Sequence, residues 1–244
     1  MTQPPVVILT SDHHAWIIPA MLAQMERHWR PLPERVIVAG FTPPPFLLPA
    51  WVEWYSIGEF ANYPADKWSD GLRDFLKAHR ELTHFILLLE DYLCTRTVDV
   101  EAVEMLYQLA QNNPGVLRVD LCSDRAGNSA PKVEAGYMGR LDLIEIPPPA
   151  EYHVSTQPSI WNRDRLAEIL KRNESAWQFE LDGTNRANHL NQRVIGTRQA
   201  PMRIKIAINK GHFDLETPWQ WPPTNLTAED TADLRRRKLI PDGV

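Results

Sequence analysis

Two adjacent carboxylates follow a strongly apolar stretch near the middle of the chain. Glu90 and Asp91 come directly after the apolar run at 85–89, within the sequence HFILLLEDYLCTR. An apolar run of this length indicates a buried strand. Carboxylate oxygens at the end of such a strand are ligands that Mg²⁺ and Mn²⁺ prefer, often together with the phosphates of a substrate. The pair therefore predicts a diphosphate-binding edge, and the alternative is that both residues are solvated where the strand leaves the core.

Polar side chains also lie near the ends of two other strands that the sequence predicts. Ser11 and Asp12 end the first apolar run, VVILTS, and are followed by two histidines. Trp68 and Asp70 follow the third predicted strand after a loop. Ligands of open α/β sheets bind at the carboxyl ends of the strands. If these strands are parallel neighbours, all three polar clusters converge on one edge of the sheet.

A separate carboxylate, Glu180, follows Trp177 and Phe179 in the segment AWQFE. A hydroxyl that attacks an electrophilic carbon needs a base to take its proton. An apolar wall raises the pKa of a carboxyl group towards neutrality, which suits that role. The alternative is an exposed position on a helix, and Glu174 is a weaker candidate for the base. We expect the carboxylates of Asp91 and Glu180 to open onto one cleft.

The elements that must position these residues alternate between strand and helix over the first 120 residues. Apolar and β-branched runs predict strands at 6–11, 35–41, 52–58, 84–90 and 116–122. Helical spacing of apolar residues predicts helices at 15–30, 68–82 and 99–113. This alternation predicts an α/β fold with parallel strands and right-handed crossovers. The second half is mixed, with a hairpin or edge strand at 136–147, strands at 152–161, 193–197 and 203–209, and helices at 162–173 and 175–192.

The composition is that of a folded globular protein, with 43% hydrophobic and 23% charged residues in 244. A formal net charge of −5 provides no overall field that favours nucleic acid. The two cysteines show neither metal-binding spacing nor a disulfide framework, which is typical of a reducing compartment. The N-terminus does not have the pattern of a signal peptide, and no apolar window is long enough to span a membrane. We therefore expect a soluble, cytoplasmic protein.

The segment LLLEDYL resembles the hydrophobic strand and short acidic motif of GT-A fold glycosyltransferases. In that family the acidic pair holds a metal ion bound to the diphosphate of a nucleotide sugar. The segments SDHHAW, WSDGLRDFL, STQPSIWNRDRL and ESAWQFELDGT occur in the order typical of bacterial and phage members. The sequence departs from the DxD pattern at Tyr92, which fills the third place, so Asp91 is the expected main ligand.

The resemblance implies a role for each matching residue. Asp91 would bind Mn²⁺ or Mg²⁺, and His212 in NKGHFD is a second candidate ligand because a neutral imidazole binds divalent ions. An ordinary loop histidine is the alternative for His212. Glu180 would face the acceptor as the catalytic base. The residues with implied donor-binding roles are Ser11, Asp12, Trp68, Asp70, Glu90, Gln157 and Trp161.

The predicted fold is a single GT-A-like domain over 1–244, with a mixed, mainly parallel central sheet and helices on both faces. A nucleotide-binding half is expected at 1–122, an acceptor or sugar half at 123–215, and a C-terminal tail or helix at 216–244. The predicted activity is transfer of a sugar from a nucleotide diphosphate sugar, with a UDP-sugar favoured, to an acceptor hydroxyl. That acceptor is a glycan such as lipopolysaccharide, or a hydroxymethylated base in DNA.

Two alternatives remain open. A nucleotidyltransferase would use a similar sheet, but it is expected to carry a glycine-rich, lysine-bearing loop where this chain has TSDHHAW. A non-catalytic protein of the same fold would bind a sugar nucleotide or a protein partner. In that case Asp91 and Glu180 would not face a common pocket.

Overall fold

The computed structural model describes residues 2–127, 130–209, 211–217 and 224–241. Its strands are β1 (Val6–Leu9), β2 (Val36–Gly40), β3 (Val52–Ser56), β4 (His84–Leu89), β5 (Tyr92–Cys94), β6 (Val116–Asp120), β7 (Val133–Met138), β8 (Leu141–Glu145), β9 (Ser159–Asn162), β10 (Arg193–Thr197), β11 (Ile204–Ile206), β12 (Ile208–Asn209) and β13 (His212–Phe213). Its α-helices are α1 (Ile18–His28), α2 (Trp68–Ala78), α3 (Val100–Asn112), α4 (Asp124–Gly127), α5 (Arg163–Ile169), α6 (Ala176–His189) and α7 (Ala228–Arg236).

Within the described chain, nine strands form one central sheet in the order β3-β2-β1-β4-β9-β6-β10-β8-β7. The pairs β3-β2, β2-β1, β1-β4 and β6-β10 are parallel. Strands β8 and β9 run opposite to all the others. The predicted mixed, mainly parallel α/β sheet is therefore confirmed.

The sheet is covered by helices on both faces, as predicted. Side chains of a strand point alternately to opposite faces, and β1 shows this directly. Val6 and Ile8 pack into one core with residues of α1, α3 and α7. Val7 and Leu9 pack into a second core with residues of α2, α5 and α6. Because β1 is buried on both faces, it carries the continuous apolar run that made it recognisable in the sequence.

The second half of the chain differs in detail from the prediction. The hairpin at 136–147 exists as β7 and β8, with Gly139 at φ 58° in the turn. Of the predicted strand at 152–161, only 159–161 joins the sheet, as part of β9. The predicted strand at 203–209 is divided into β11 and β12, which lie outside the central sheet. Strand β11 pairs antiparallel with β5, and β5 begins directly after Glu90 and Asp91.

The described part of the C-terminal segment contains the helix α7. At its N-terminus, the side chains of Thr227 and Asp230 each accept a hydrogen bond from the other residue's backbone N–H. Asp230 is fully buried and also pairs with Arg27 and His28, so α7 is held against α1.

Among the described residues, no helix has the length and apolar character needed to cross a membrane.

The parallel pairing of β1 and β4 brings their carboxyl ends together. Leu9 lies opposite Leu89 in the register, and the backbone N–H of Glu90 donates to the carbonyl of Leu9 at 3.2 Å. Ser11 and the Glu90-Asp91 pair therefore lie at the same edge of the sheet, after the ends of two adjacent strands.

Candidate active site

A cavity of about 660 Å³ lies at this carboxyl edge of the sheet. Its walls come from the segments that follow β1, β2, β3 and β4, and from the first turns of α2 and α6. Ile208 and Gly211, from the β12-β13 region, complete the lining. Four of the predicted site residues line this cavity: Ser11, Trp68, Glu90 and Asp91.

Glu90 and Asp91 are each only 8% exposed, so the alternative that they are solvated is wrong. One Asp91 oxygen, Oδ2, accepts a hydrogen bond from the backbone N–H of Ile208 at 3.3 Å. The Glu90 Oε1 atom lies 3.3 Å from Nδ1 of His14, whose own pKa is raised by that contact. Burial, together with the neighbouring charge of Glu90, raises the pKa of Asp91 to about 7. Two enclosed carboxylates side by side are an arrangement that a cation stabilises.

The donor set at this edge fits a divalent cation that is shared with a substrate. Among the described residues, no group of three His, Cys, Asp or Glu side chains is arranged to hold a metal ion. Two carboxylates are nevertheless sufficient when phosphate oxygens and water complete the coordination, as is common for Mg²⁺. His212 lies at an exposed position on β13, directly after Gly211, which lines the cavity, and its role as a metal ligand stays a prediction.

One wall of the cavity is built from aromatic rings in mutual contact. The centroid of Phe41 lies 5.4 Å from that of Phe60 and 5.2 Å from that of Tyr63, and His13 meets Phe60 edge-on at 5.0 Å. The Tyr63 hydroxyl donates to Asp74 at 3.0 Å, which fixes its ring. Flat, fixed rings of this kind can stack against a nucleobase or the apolar face of a sugar.

Asp12 has a structural role instead of lining the cavity. Its carboxylate accepts hydrogen bonds from the backbone N–H of Thr42 at 3.0 Å and from the Thr42 hydroxyl at 2.6 Å. These contacts fasten the loop after β1 to the loop after β2. Asp12 therefore holds the position of Ser11 and His13, which do line the cavity.

Asp70 also positions a neighbouring segment. Its Oδ2 accepts from the backbone N–H of Asn173 at 2.7 Å, and Asn173 adopts a left-handed conformation at φ 60°. Beside it, the Ser69 hydroxyl accepts from the backbone N–H of Glu174 at 3.1 Å. The first turn of α2 thereby holds the loop that leads into α6, while Trp68 lines the cavity itself.

Two predicted donor-binding residues lie away from the cavity. Trp161 is fully buried in β9, with Arg118 over its ring at 5.4 Å and Phe179 at 6.4 Å, so its prediction as a residue that lines the sugar site is wrong. Gln157 is held by its backbone, because its N–H donates to Ser155 Oγ at 3.1 Å. Gln157 is not among the residues that line the cavity.

Glu180 is partly buried, so the alternative of an exposed helix position is not what the structure shows. Its Oε1 atom accepts two hydrogen bonds from Thr156, one from the backbone N–H at 2.6 Å and one from the hydroxyl at 2.8 Å. Burial raises the pKa of Glu180, and the two bonds from Thr156 partly oppose that rise. Ala176, one helical turn earlier, lines the cavity, whereas Glu180 does not. Asp91 and Glu180 therefore do not line one and the same cavity, so the expectation that both carboxylates open onto one cleft is wrong, and on this point the structure agrees with the non-catalytic alternative.

The sequence reasoning missed a set of buried polar residues beneath this edge. Arg118 and Asp120 on β6 are fully buried and lie 3.1 Å apart, and Arg118 also bonds to Asp124 at 2.7 Å. Tyr92 is buried and its hydroxyl lies 3.3 Å from the carbonyl oxygen of Thr156. The signal that could have identified the first group is a pair of opposite charges inside the otherwise apolar strand VLRVDLC.

Comparisons with known proteins show the following. No protein-family model matches the chain. No curated protein matches it either. Similar solved structures include the bifunctional glycosyltransferase WbbM without ligand, with a TM-score of 0.42, 11% identity, and coverage of 80% of this chain and 38% of that one. The present chain thus spans well under half of the length of WbbM.

Two other similar structures are UDP-glucose pyrophosphorylases. One, without ligand, has a TM-score of 0.41 and 11% identity, and the match covers 82% of this chain and 92% of that chain. The other, from Acinetobacter baumannii with UTP bound, has a TM-score of 0.46 and 9% identity, with coverage of 83% and 88%. At these identities and TM-scores, none of the three assigns an activity or a substrate to this chain.

Proposed function

We propose that the chain is a glycosyltransferase that moves a sugar from a nucleotide diphosphate sugar, with a UDP-sugar favoured, to an acceptor hydroxyl. The observation that carries the proposal is the enclosed Glu90-Asp91 pair on an aromatic-walled cavity at the carboxyl edge of the sheet. The proposal includes a single GT-A-like domain over 1–244, with the nucleotide bound by elements of 1–122. The acceptor and sugar half would be 123–215, followed by the C-terminal segment at 216–244.

In this proposal the nucleobase lies against the wall formed by Phe41, Phe60 and Tyr63. The diphosphate would then point towards Glu90 and Asp91, which supply two carboxylate groups for Mn²⁺ or Mg²⁺. A divalent cation bound there would neutralise the negative charge that develops on the departing diphosphate. The volume of about 660 Å³ is within the usual range for sites that bind small molecules.

The acceptor would approach along the first turn of α6. Ser175, Ala176 and Trp177 line the cavity there, and the Trp177 side chain is 64% exposed. Glu180, one helical turn after Ala176 and outside the cavity lining, is the proposed base. Its Oε2 atom has no hydrogen-bond partner among the described residues, whereas Oε1 is held by Thr156. The proton of the acceptor hydroxyl would pass to Oε2 as the new bond to the anomeric carbon forms and the bond to the diphosphate breaks. A base in this role suits an inverting reaction.

The charges of the described residues favour a glycan over DNA as the acceptor. Lys205 is 1% exposed and donates to the carbonyl of Thr217, so it is not free to contact a phosphate backbone. Arg236 and Arg237 are accessible, but both pair with Asp233, which reduces the net positive charge of this basic run. Binding of DNA relies on accessible Lys and Arg side chains. Lys210 lies outside the described residues.

The test is a panel of UDP-, GDP- and CMP-sugars, assayed with Mn²⁺ for binding and for release of the nucleotide diphosphate or monophosphate. We expect a UDP-sugar to bind and to be hydrolysed slowly, and Asp91→Asn to lose both properties. Asp142→Asn, at an exposed position on β8, is the matched control and should behave as the wild type. Absence of binding for every donor, or full turnover by Asp91→Asn, would refute the proposal.

Two further arms of the assay separate the acceptors and the competing reaction. A lipopolysaccharide-type oligosaccharide and a DNA duplex with hydroxymethylcytosine are offered as acceptors with the donor that binds. UTP with glucose 1-phosphate is offered separately, and release of pyrophosphate would identify a nucleotidyltransferase instead.

A further inference from the structure

Thr156 lies between two groups that the sequence places far apart. Its backbone N–H and its hydroxyl both donate to Oε1 of Glu180, at 2.6 Å and 2.8 Å. Its carbonyl oxygen accepts from the Tyr92 hydroxyl at 3.3 Å, and its Oγ1 lies 3.5 Å from the same hydroxyl. These contacts form one continuous chain of hydrogen bonds from Tyr92 through Thr156 to Glu180.

The Tyr92 end of this chain is buried, and its Glu180 end is partly buried. Tyr92 is 3% exposed and Thr156 is 6% exposed, and Glu180 is partly buried. Tyr92 is the first residue of β5 and directly follows Asp91, so the chain starts at the acidic end of β4. Hydrogen bonds that are shielded from water hold a fixed geometry better than exposed ones.

We propose that Thr156 is the positioning residue of Glu180 and that Tyr92 holds Thr156 in register with the acidic end of β4. The inference rests on the proposed function for its link to catalysis, but the contacts themselves are independent of it. It also gives a physical reason for Tyr92 in the third place of the acidic motif. The Tyr92 phenol at that position points into the fold and, through Thr156, supports the carboxylate of Glu180.

These contacts make the two oxygens of the Glu180 carboxylate unequal. Oε1 is occupied by two donors, so a proton from an acceptor would be taken at Oε2. The charged or titratable groups that face Glu180 are Arg118 and Asp124, besides Tyr92. Arg118 favours the ionised form of Glu180 and Asp124 disfavours it, whereas the direct hydrogen bonds come from Thr156. Removing a donor to an ionised carboxylate raises its pKa, because the charged form loses stabilisation.

The experiment compares Thr156→Val, Thr156→Ser and Tyr92→Phe with the wild type. The valine variant removes the hydroxyl and keeps the branched shape, whereas serine retains the donor. The first readout is an NMR titration of the Glu180 side-chain carboxyl carbon in ¹³C-glutamate-labelled protein, assigned with Glu180→Gln. We expect the Glu180 midpoint to move to higher pH in Thr156→Val and to stay close to wild type in Thr156→Ser.

The second readout is steady-state kinetics with the donor that binds. We expect kcat for Thr156→Val to fall about tenfold, the factor that corresponds to one hydrogen bond to a charged group at the low end of its usual range. The KM for the donor should not change, and the acid limb of the kcat profile should move to higher pH. Thr156→Ser should restore most of the loss, and Tyr92→Phe should show a smaller loss than Thr156→Val.

The outcomes separate this inference from the proposed function. An unchanged Glu180 midpoint in Thr156→Val would overturn the inference, whether or not the wild type turns over a nucleotide sugar. A shifted midpoint with unchanged kcat in an active enzyme would overturn the positioning role in catalysis. A shifted midpoint in a protein that binds no donor would support the contacts and refute the proposed function. If Thr156→Val does not fold, Tyr92→Phe decides by the same titration, and an unchanged midpoint there counts against the inference.

Discussion

Asp91→Asn is expected to make the metal-free protein more stable at neutral and alkaline pH, although it removes the proposed ligand. The pKa of Asp91 is raised in the folded state from 3.8 to about 7 by burial and by Glu90. Below the unfolded value both states are protonated, and the group has no effect on stability. As the pH rises from 3.8 to about 7, the unfolded chain releases the proton of Asp91 and the folded chain retains it, so the free energy of unfolding falls. Above the folded pKa, the full penalty is present.

The size of the effect follows from the shift. A change of about 3 pKa units at about 1.4 kcal/mol per unit corresponds to about 4 kcal/mol, which is an upper limit because water and relaxation screen the buried charge. We expect Asp91→Asn to gain about 2 kcal/mol or more over the wild type at pH 8 and to be nearly neutral at pH 4. The asparagine keeps the shape of the side chain and carries no charge, so it isolates the electrostatic cost.

The assay is urea unfolding with a chelator at pH 4, 6 and 8, followed by circular dichroism. Asp142→Asn is the control, because the same chemical change at an exposed position should not give the variant-specific gain at pH 8. Addition of Mn²⁺ at pH 8 should stabilise the wild type and not Asp91→Asn, since a ligand that binds only the folded state adds to its stability. If the stability of wild type and Asp91→Asn follows the same pH dependence, the reasoning about the enclosed acidic pair is wrong.

Two further changes test the packing beneath the site. Asp120→Asn should lower the free energy of unfolding by about 1.5–3 kcal/mol in urea, because it removes the charge that lies 3.1 Å from the fully buried Arg118, which keeps only Asp124 as a carboxylate partner; a loss under about 1 kcal/mol would contradict the role of this pair. Gly196→Ala should lower the thermal midpoint and cost about 1–3 kcal/mol, because an added Cβ would lie 2.4 Å from the Cβ of Arg125. Gly115→Ala is its control, since no atom lies within 4 Å of the added Cβ there; equal losses in the two glycine variants would argue against the clash.

The strands and helices of the first half were predictable because their signals are local. Strands β1, β2 and β4 are buried as continuous apolar runs, and the intervening helices show apolar spacing on one side. The position of β9 was not predictable in the same way. Its pairing with both β4 and β6 depends on contacts between residues that are distant in the sequence. A period of apolar residues identifies a strand but does not specify its neighbours.

At the candidate site, the sequence identified which strand ends carry polar residues but not where each side chain points. Ser11, Glu90 and Asp91 line the cavity. Asp12 and Asp70, which have the same chemistry, instead accept backbone hydrogen bonds that fix loops. The reason is that loops at a strand edge have backbone N–H groups that need acceptors, and a nearby carboxylate can serve either purpose.

The insertion of β9 between β4 and β6 has a consequence for how the protein is made. As the chain leaves the ribosome, the first 122 residues contain β1 to β4 and β6, but β4 and β6 do not pair with each other. Until residues 159–162 have been synthesised, β4 presents one unpaired edge, and β6 lacks both of its neighbours, β9 and β10. The Asp91 carboxylate likewise accepts its hydrogen bond from the backbone N–H of Ile208 only after that residue, 117 positions later, has been synthesised. A nascent fragment that stops before β9 is therefore expected to expose the unpaired edges of β4 and β6, which are prone to pair with other chains.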